Sequence, residues 1–355
     1  MTAVRSTEVS SVLLAEMAAP RVTDQALIFS ADPALITTIA KRTQAVDVFD
    51  YSYTSLERLR TQLSKQKIDN VQIHHSVFPD RDAAYDIALM AAPKGRDFAR
   101  AFLWSAFCSL RQGGKLYISG ANNGGIKSTL VDAELLFGRN VTLNTKQHHR
   151  IGVSLRSAAA HEFPTAWGHD PTICVTREMQ TPQGVFTLAT MPGVFSWEHV
   201  DDGTSLLLEH ADIEAGSTVL DVGCGHGIIG IAAAQTASRV AMVDDNLLAV
   251  RCATESVRIN RVDNAIVYAG DVYNGTDGTF DLILSNPPFH QDFDVTFNVA
   301  HRIIREAKRH LNPGGRLVIV ANAFLSYEKL MTEHLSDVKV LAKNSRYMVI
   351  QGQHA

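Results

Sequence analysis

Short β-branched runs alternate along the second half of the chain with longer stretches whose apolar residues recur every three or four positions. Ser217–Val222, Arg239–Val243, Ala265–Ala269, Phe280–Ser285 and Gly315–Ala321 read as strands; Gly227–Ala237, Leu247–Arg258 and Thr296–Leu311 read as helices. Strands separated by helices predict a doubly wound parallel sheet. Val338–Leu341 and Tyr347–Ile350 predict a closing hairpin. Thr172–Ser196 reads as strand, turn and strand, a platform ahead of the first core strand.

The first half repeats the second. A shift of 195 lays Val267–Tyr273 on Gln72–Phe78 and Phe280–Leu284 on Tyr85–Leu89. A shift of 201 lays Asn312–Ile319 on Arg111–Ile118, and 197 pairs the last hairpin with Val141–Leu143 and Ile151–Val153. Two tandem copies of one α/β fold are expected. Residues 1–156 form the first, 172–355 the second, and 157–171, rich in Ala, His and Pro, form a linker.

Composition narrows the function class. The chain has 355 residues, 46% hydrophobic, with a net charge of −4. That excludes coating nucleic acid by charge alone. Residues 1–180 carry +3 and residues 181–355 carry −7. The four cysteines show no CxxC spacing, so neither a zinc site nor a disulfide scaffold is expected. His74-His75 and His148-His149 are adjacent pairs whose rings point to opposite faces of a strand, so no metal is expected. No apolar run reaches membrane-span length, and a soluble, cytoplasmic protein without membrane contact is expected.

All 23 glycines lie at or after Gly95, so a glycine-dependent ligand loop lies beyond the first 94 residues. It is Asp221-Val222-Gly223-Cys224-Gly225-His226-Gly227, between a strand and a helix. Gly223, Gly225 and Gly227 let the backbone approach a ligand, with Cys224 as a small filler beside it. Asp221 beneath the loop suits an ammonium group and would repel a pyrophosphate. Asp244 ends the next strand, where a ribose diol meets a carboxylate in such sheets. Asp271 ends the strand after that and can accept from an adenine amino group. An amine, a ribose and an adenine together describe S-adenosylmethionine.

Ser285-Asn286-Pro287-Pro288-Phe289-His290 follows the fourth core strand and so faces the same ligand edge. The two prolines stiffen the loop and remove two donors. Asn286 and the Pro287 carbonyl then display acceptors for one planar amino group. Phe289 offers a stacking face, and Pro288 and His290 complete the substrate side. The residues alone leave open guanine N2, adenine N6, a protein glutamine amide, or a non-catalytic assembly factor that keeps the pocket.

These two loops resemble those of class I (Rossmann-like) methyltransferases that modify exocyclic amino groups. Pro192–Ser196, Asp201–Leu207, Gly270–Tyr273 and Val320–Tyr327 are similar to the ribosomal RNA small-subunit methyltransferase C family. The resemblance implies methylation of guanine N2 in ribosomal RNA, with the ribosomal RNA or subunit as partner. It also implies a cofactor-free first domain and a catalytic second one. It places Phe195 and Thr204 on the wall of the cofactor pocket. The pattern departs from the family at Gln291–Asp294, which is bulkier and more acidic.

The repeat shows which copy works. Under the 195 shift Asp271, Asn286, Pro287 and Phe289 fall on Ser76, Ala91, Ala92 and Lys94. The first copy is degenerate, and its positive balance suggests RNA docking through Arg96, Arg100, Arg139, Lys146 and Arg150.

Overall fold

The computed structural model describes residues 6–80, 84–157, 162–288 and 293–355, with side chains from 8 onward and excluding those of 293–298. It divides into two compact units, Met1–Ile173 and Cys174–Ala355. The first contains α1 (Ser6–Met17), β1 (Gln25–Phe29), α2 (Pro33–Ala40), β2 (Ala45–Phe49), α3 (Tyr53–Gln66), β3 (Val71–Ile73), β4 (Tyr85–Ala91), α4 (Arg96–Ser109), β5 (Leu110–Ala121), α5 (Ile126–Phe137), β6 (Asn140–Lys146) and β7 (His149–Leu155). The second opens with β8 (Val175–Thr181), β9 (Gly184–Thr190) and α6 (Asp202–His210). It continues through β10 (Thr218–Val222), α7 (Ile228–Ala233), β11 (Arg239–Asp244), α8 (Leu247–Ile259), β12 (Ala265–Ala269) and β13 (Phe280–Ser285). It closes with α9 (Phe293–Glu306), β14 (Leu311–Asn322), α10 (Tyr327–His334), β15 (Ser336–Lys343) and β16 (Tyr347–Gln353).

The two sheets have the same strand order, β3-β2-β1-β4-β5-β7-β6 and β12-β11-β10-β13-β14-β16-β15. All pairings are parallel except those of β7 and β16, which run antiparallel to both neighbours. In the second unit, alternate residues of each core strand enter opposite layers. Val219, Met242, Leu284 and Val318 pack with Leu207, Ile228 and Ala253 on one face. Leu220, Val243, Ile283 and Ile319 pack with Ile303, Tyr327 and Met331 on the other. Burial on both faces explains why these strands read as continuous apolar runs.

The duplication extends to individual hydrogen bonds. Asn70 Nδ2 donates to the carbonyls of Ala40 and Thr43 at 2.9 and 3.3 Å. Asn264 Nδ2 does the same for Ala234 and Ala237 at 3.0 and 2.9 Å. Each asparagine stands directly before an edge strand, β3 or β12, and ties it to the end of α2 or α7. Likewise Asp86 Oδ2 accepts from Gln25 N, and Asp281 Oδ2 from Thr218 N.

Differences from the sequence reading have local causes. The helix expected to end at Leu311 ends at Glu306, followed by one 3-10 turn, Ala307–Arg309. Leu311 already pairs with Phe280, and the register shifts before Arg316. Pro313 cannot extend a helix, and Gly314 takes φ 80°. Residues 162–171 of the expected linker pack on α4: Trp104 Nε1 donates to Asp170 Oδ2 at 3.0 Å, and Phe163 meets Trp104 edge-on. Among the described residues, no helix is long and apolar enough to cross a membrane.

Asn264→Ala removes both donors and strands two helix-end carbonyls. The expected loss is about 1–3 kcal/mol in urea unfolding, with a comparable loss for Asn264→Asp, which cannot donate. Unaltered midpoints in both variants would show that the paired asparagines do not carry this junction.

Candidate active site

The chain runs outward from β10 to β12 on one side, then returns to place β13 on the other side of β10. The loops after β10 and β13 therefore diverge from adjacent strands, the crevice where ligands bind in such sheets. Val222 pairs with Ser285, one residue before Asn286.

After β10 the loop folds back on β11. Gly223 N and Cys224 N both donate to the Val243 carbonyl, at 2.8 and 3.1 Å. Gly223, Gly225 and Gly227 have φ of 75°, 56° and 92°, the left-handed region. Their duties differ. A Cβ at Gly223 or Gly225 would meet nothing within 4 Å, so these two present bare backbone to open space. A Cβ at Gly227 would press on Ala253 at 3.3 Å, so this glycine lets α7 approach α8. Cys224 is buried, and burial pushes its thiol well up.

The three acids are not equivalent. Asp221 is wholly buried; its Oδ2 accepts from Gly230 N at 2.9 Å, and its Oδ1 has no partner among the described residues. Burial pushes this carboxyl up to about 8; the Gly230 donor opposes the rise and the Asp244 charge adds to it. Asp244 uses both oxygens on backbone, Oδ2 from Gly225 N and Oδ1 from Asn246 N, each at 2.8 Å. Burial raises it to about 6. The first unit keeps this clamp: Asp50 accepts from Ala31 N at 2.7 Å and Ser52 N at 2.8 Å. Clamping the loop thus survives where the glycines do not. Asp271, expected to be open to an adenine, is held by Arg302 of α9, whose Nη1 lies 2.9 and 2.8 Å from its two oxygens. The next residue, Val272, is β-branched at φ 60°, a strained conformation beside the site.

The second loop carries the amide. Asn286 Nδ2 donates to Thr204 Oγ1 at 2.8 Å and to Asp201 Oδ2 at 3.1 Å. Its Oδ1 is buried and has no partner among the described residues. Pro287 is buried and Pro288 exposed. Phe289 and His290 lie outside the described residues, as do Gln291 and Asp292. Thr204, expected on the cofactor wall, turns its hydroxyl to Asn286, because the first turn of α6 faces the β13 loop. Asp201 caps that helix by accepting from Gly203 N and Thr204 N. Phe195 is 57% exposed on the segment between β9 and α6, which Asn246 Nδ2 ties down through the Gly193 carbonyl.

Two residues to which the sequence reading assigned no role also lie here. Asp201 reads as an ordinary helix cap. His226 is 4% exposed with an unpartnered Nδ1, and burial pulls it down to about 4, so it is neutral. In the first unit, four of the five cations expected to dock RNA also have protein partners. Arg96 and Arg100 both grip buried Asp132, Lys146 reaches Glu16, and Arg150 reaches Asn122. Arg139 remains, exposed, of the five.

Between about pH 6.5 and 8 the folded protein keeps the Asp221 proton that the unfolded chain has lost. Stability therefore falls as pH rises through this window, by about 1 kcal/mol per pH unit. Asp221→Asn should flatten that segment of the profile in urea melts; an unchanged slope would contradict the burial of this carboxyl.

A methyltransferase small domain model matches residues 185–351, and the corresponding N-terminal domain model matches 14–135. The ribosomal RNA small subunit methyltransferase C of Shewanella loihica is 31% identical over 90% of this chain and 91% of that one. Its counterpart from Haemophilus influenzae is 42% identical over 46% of this chain, a match that spans half of that relative's length. Among solved structures, the T. thermophilus 16S rRNA N2 G1207 methyltransferase, in complex with AdoMet and guanosine, superposes with a TM-score of 0.85. That pair is 25% identical and covers 98% of this chain and 92% of the other. The Shewanella match runs along nearly the whole of both chains, and the chain belongs to the ribosomal RNA small subunit methyltransferase C family.

Proposed function

We propose that the protein transfers a methyl group from S-adenosylmethionine to the exocyclic N2 amino group of a guanine in small-subunit ribosomal RNA. The observation that carries this reading is the buried, unpartnered Asn286 Oδ1 on the strand next to the glycine loop. A buried acceptor left open implies a donor that arrives with a ligand. The T. thermophilus relative, solved with AdoMet and guanosine, supports the choice of cofactor and base.

The residues fit the cofactor at two points. Asp221 Oδ1 is a second buried atom without a partner, and an arriving ammonium group would favour its deprotonated form and donate to it. Gly223 and Gly225 leave open space above the backbone. Asp244 holds the loop in this shape and has lone pairs left for a ribose diol. Asp271, oriented by Arg302, borders the adenine end, and Phe195 the outer wall. When bound, S-adenosylmethionine supplies a sulfonium methyl carbon open to displacement.

On the substrate side, Asn286 Oδ1 and the Pro287 carbonyl take the two hydrogens of the guanine amino group. Drawing both hydrogens to one side turns the nitrogen lone pair toward the methyl carbon. No strong base is required, because the proton can leave once the nitrogen carries its new methyl group. Rate enhancement then comes from orientation and fixed dipoles. We assign Phe289 a stacking role on the base, with Pro288 and His290 beside it. We assign the first unit RNA contact rather than chemistry, and a ribosomal substrate supports a cytoplasmic location.

The test is methylation of small-subunit ribosomal RNA and particles with labelled cofactor, followed by mass analysis of nucleosides. N2-methylguanosine is expected; label in adenosine or in protein would overturn the assignment. Asn286→Ala should lower turnover about 100- to 1,000-fold, the scale for losing one oriented hydrogen-bonding group. Cofactor affinity by calorimetry should change little.

A further inference from the structure

We propose that Asp201 and Thr204, with Tyr347 behind them, are positioning residues that fix the Asn286 amide in one of its two flip states. This deepens the reading of the site given above and rests on it. A side-chain amide turned over about its terminal bond exchanges a donor for an acceptor at nearly the same position. For Asn286 that exchange decides whether the pocket offers an acceptor to an amino group or a donor that repels one.

The surroundings allow one state. Both Nδ2 protons are used, on Thr204 Oγ1 at 2.8 Å and Asp201 Oδ2 at 3.1 Å. The flipped amide would set its oxygen against a carboxylate and would free the nitrogen toward the pocket. Asp201 cannot move aside, because the same Oδ2 caps α6 through Gly203 N at 2.9 Å and Thr204 N at 3.1 Å. Tyr347, the first residue of β16, packs behind this cap. Its ring lies against Gly203, where an added Cβ would stand 3.2 Å from Cε1. The lock therefore joins three separate stretches of chain: the start of α6, the end of β13 and the start of β16. A carboxylate behind the amide NH2 also polarises it and makes Oδ1 a stronger acceptor.

The fold does not need this lock. In the first unit the position of Asn286 is Ala91, the residue after which β4 ends. The register equivalent of Tyr347, which pairs with Asn322, is His149, which pairs with Ala121. His149 turns its Nδ1 to the Gln147 carbonyl instead. The sheet and its antiparallel closing strand persist there without amide, tyrosine or lock.

The test compares Thr204→Val, which keeps the shape and removes the acceptor, with Thr204→Ser, which restores it, and with Asp201→Asn, which keeps a helix cap but loses the charge. Each is measured in the full chain, alone and combined with Asn286→Ala. Thr204→Val is expected to lower kcat about tenfold with KM for S-adenosylmethionine within twofold of wild type. Thr204→Ser should recover kcat to within twofold, and Asp201→Asn should lose about thirtyfold. In the Asn286→Ala background, neither Thr204→Val nor Asp201→Asn should lower kcat further. A wild-type kcat in Thr204→Val, or an equal loss with and without Asn286, would overturn the lock while leaving the site reading intact. Full activity in Asn286→Ala would overturn both.

Discussion

Two oxygen atoms, Asp221 Oδ1 and Asn286 Oδ1, are buried without partners at the ends of neighbouring strands, β10 and β13. An unsatisfied buried acceptor costs roughly 1–3 kcal/mol, and a carboxylate more. The rest of the second unit holds that arrangement in place. A continuous apolar layer on each face of the sheet leaves the strand ends open to polar groups. The Gly230 donor steadies one atom's side chain, and Asp201 with Thr204 steadies the other. Both side chains are firmly held by one atom and open at the other, the condition for recognising a ligand without rearrangement.

The first unit separates what the architecture requires from what the chemistry requires. Asp50, Asn70 and Asp86 make the same backbone contacts as Asp244, Asn264 and Asp281. These positions serve the fold in both copies. Asp244 consequently has a structural duty that its strand-end position alone would not have disclosed, and any ribose contact is added to it. The glycine loop and Asn286 with its Thr204 and Asp201 partners occur in the second copy alone. Arg96 and Arg100 show the converse: charges that look free in sequence neutralise a buried acid, Asp132.

Much of this was legible in the sequence. Strand periodicity located β12 and β13 to the residue, β13 because a central strand covered on both faces is mostly apolar and β12 because its β-branched and aromatic run is bounded by Asn264 and Gly270. The near-constant offset between copies followed from shared topology. What escaped detection depends on contacts between distant segments. Nothing near Asp271 in sequence announces Arg302, 31 residues on in α9. Nothing in the run Asp201-Asp202-Gly203-Thr204 distinguishes a helix cap from a cap that also holds an amide 85 residues away. Val272 at φ 60° is equally silent, since a valine gives no sign of a left-handed conformation.

The most direct measurement is a crystal structure of the protein with S-adenosylmethionine and guanosine bound together. The account predicts guanine N2 at about 2.7–3.2 Å from Asn286 Oδ1 and from the Pro287 carbonyl. It also predicts the amide nitrogen still on Thr204 and Asp201, and the nucleobase nitrogen facing the methyl carbon above Gly223 and Gly225. A complex in which Asn286 presents its nitrogen to the base, or in which the base lies away from the β13 loop, would contradict it.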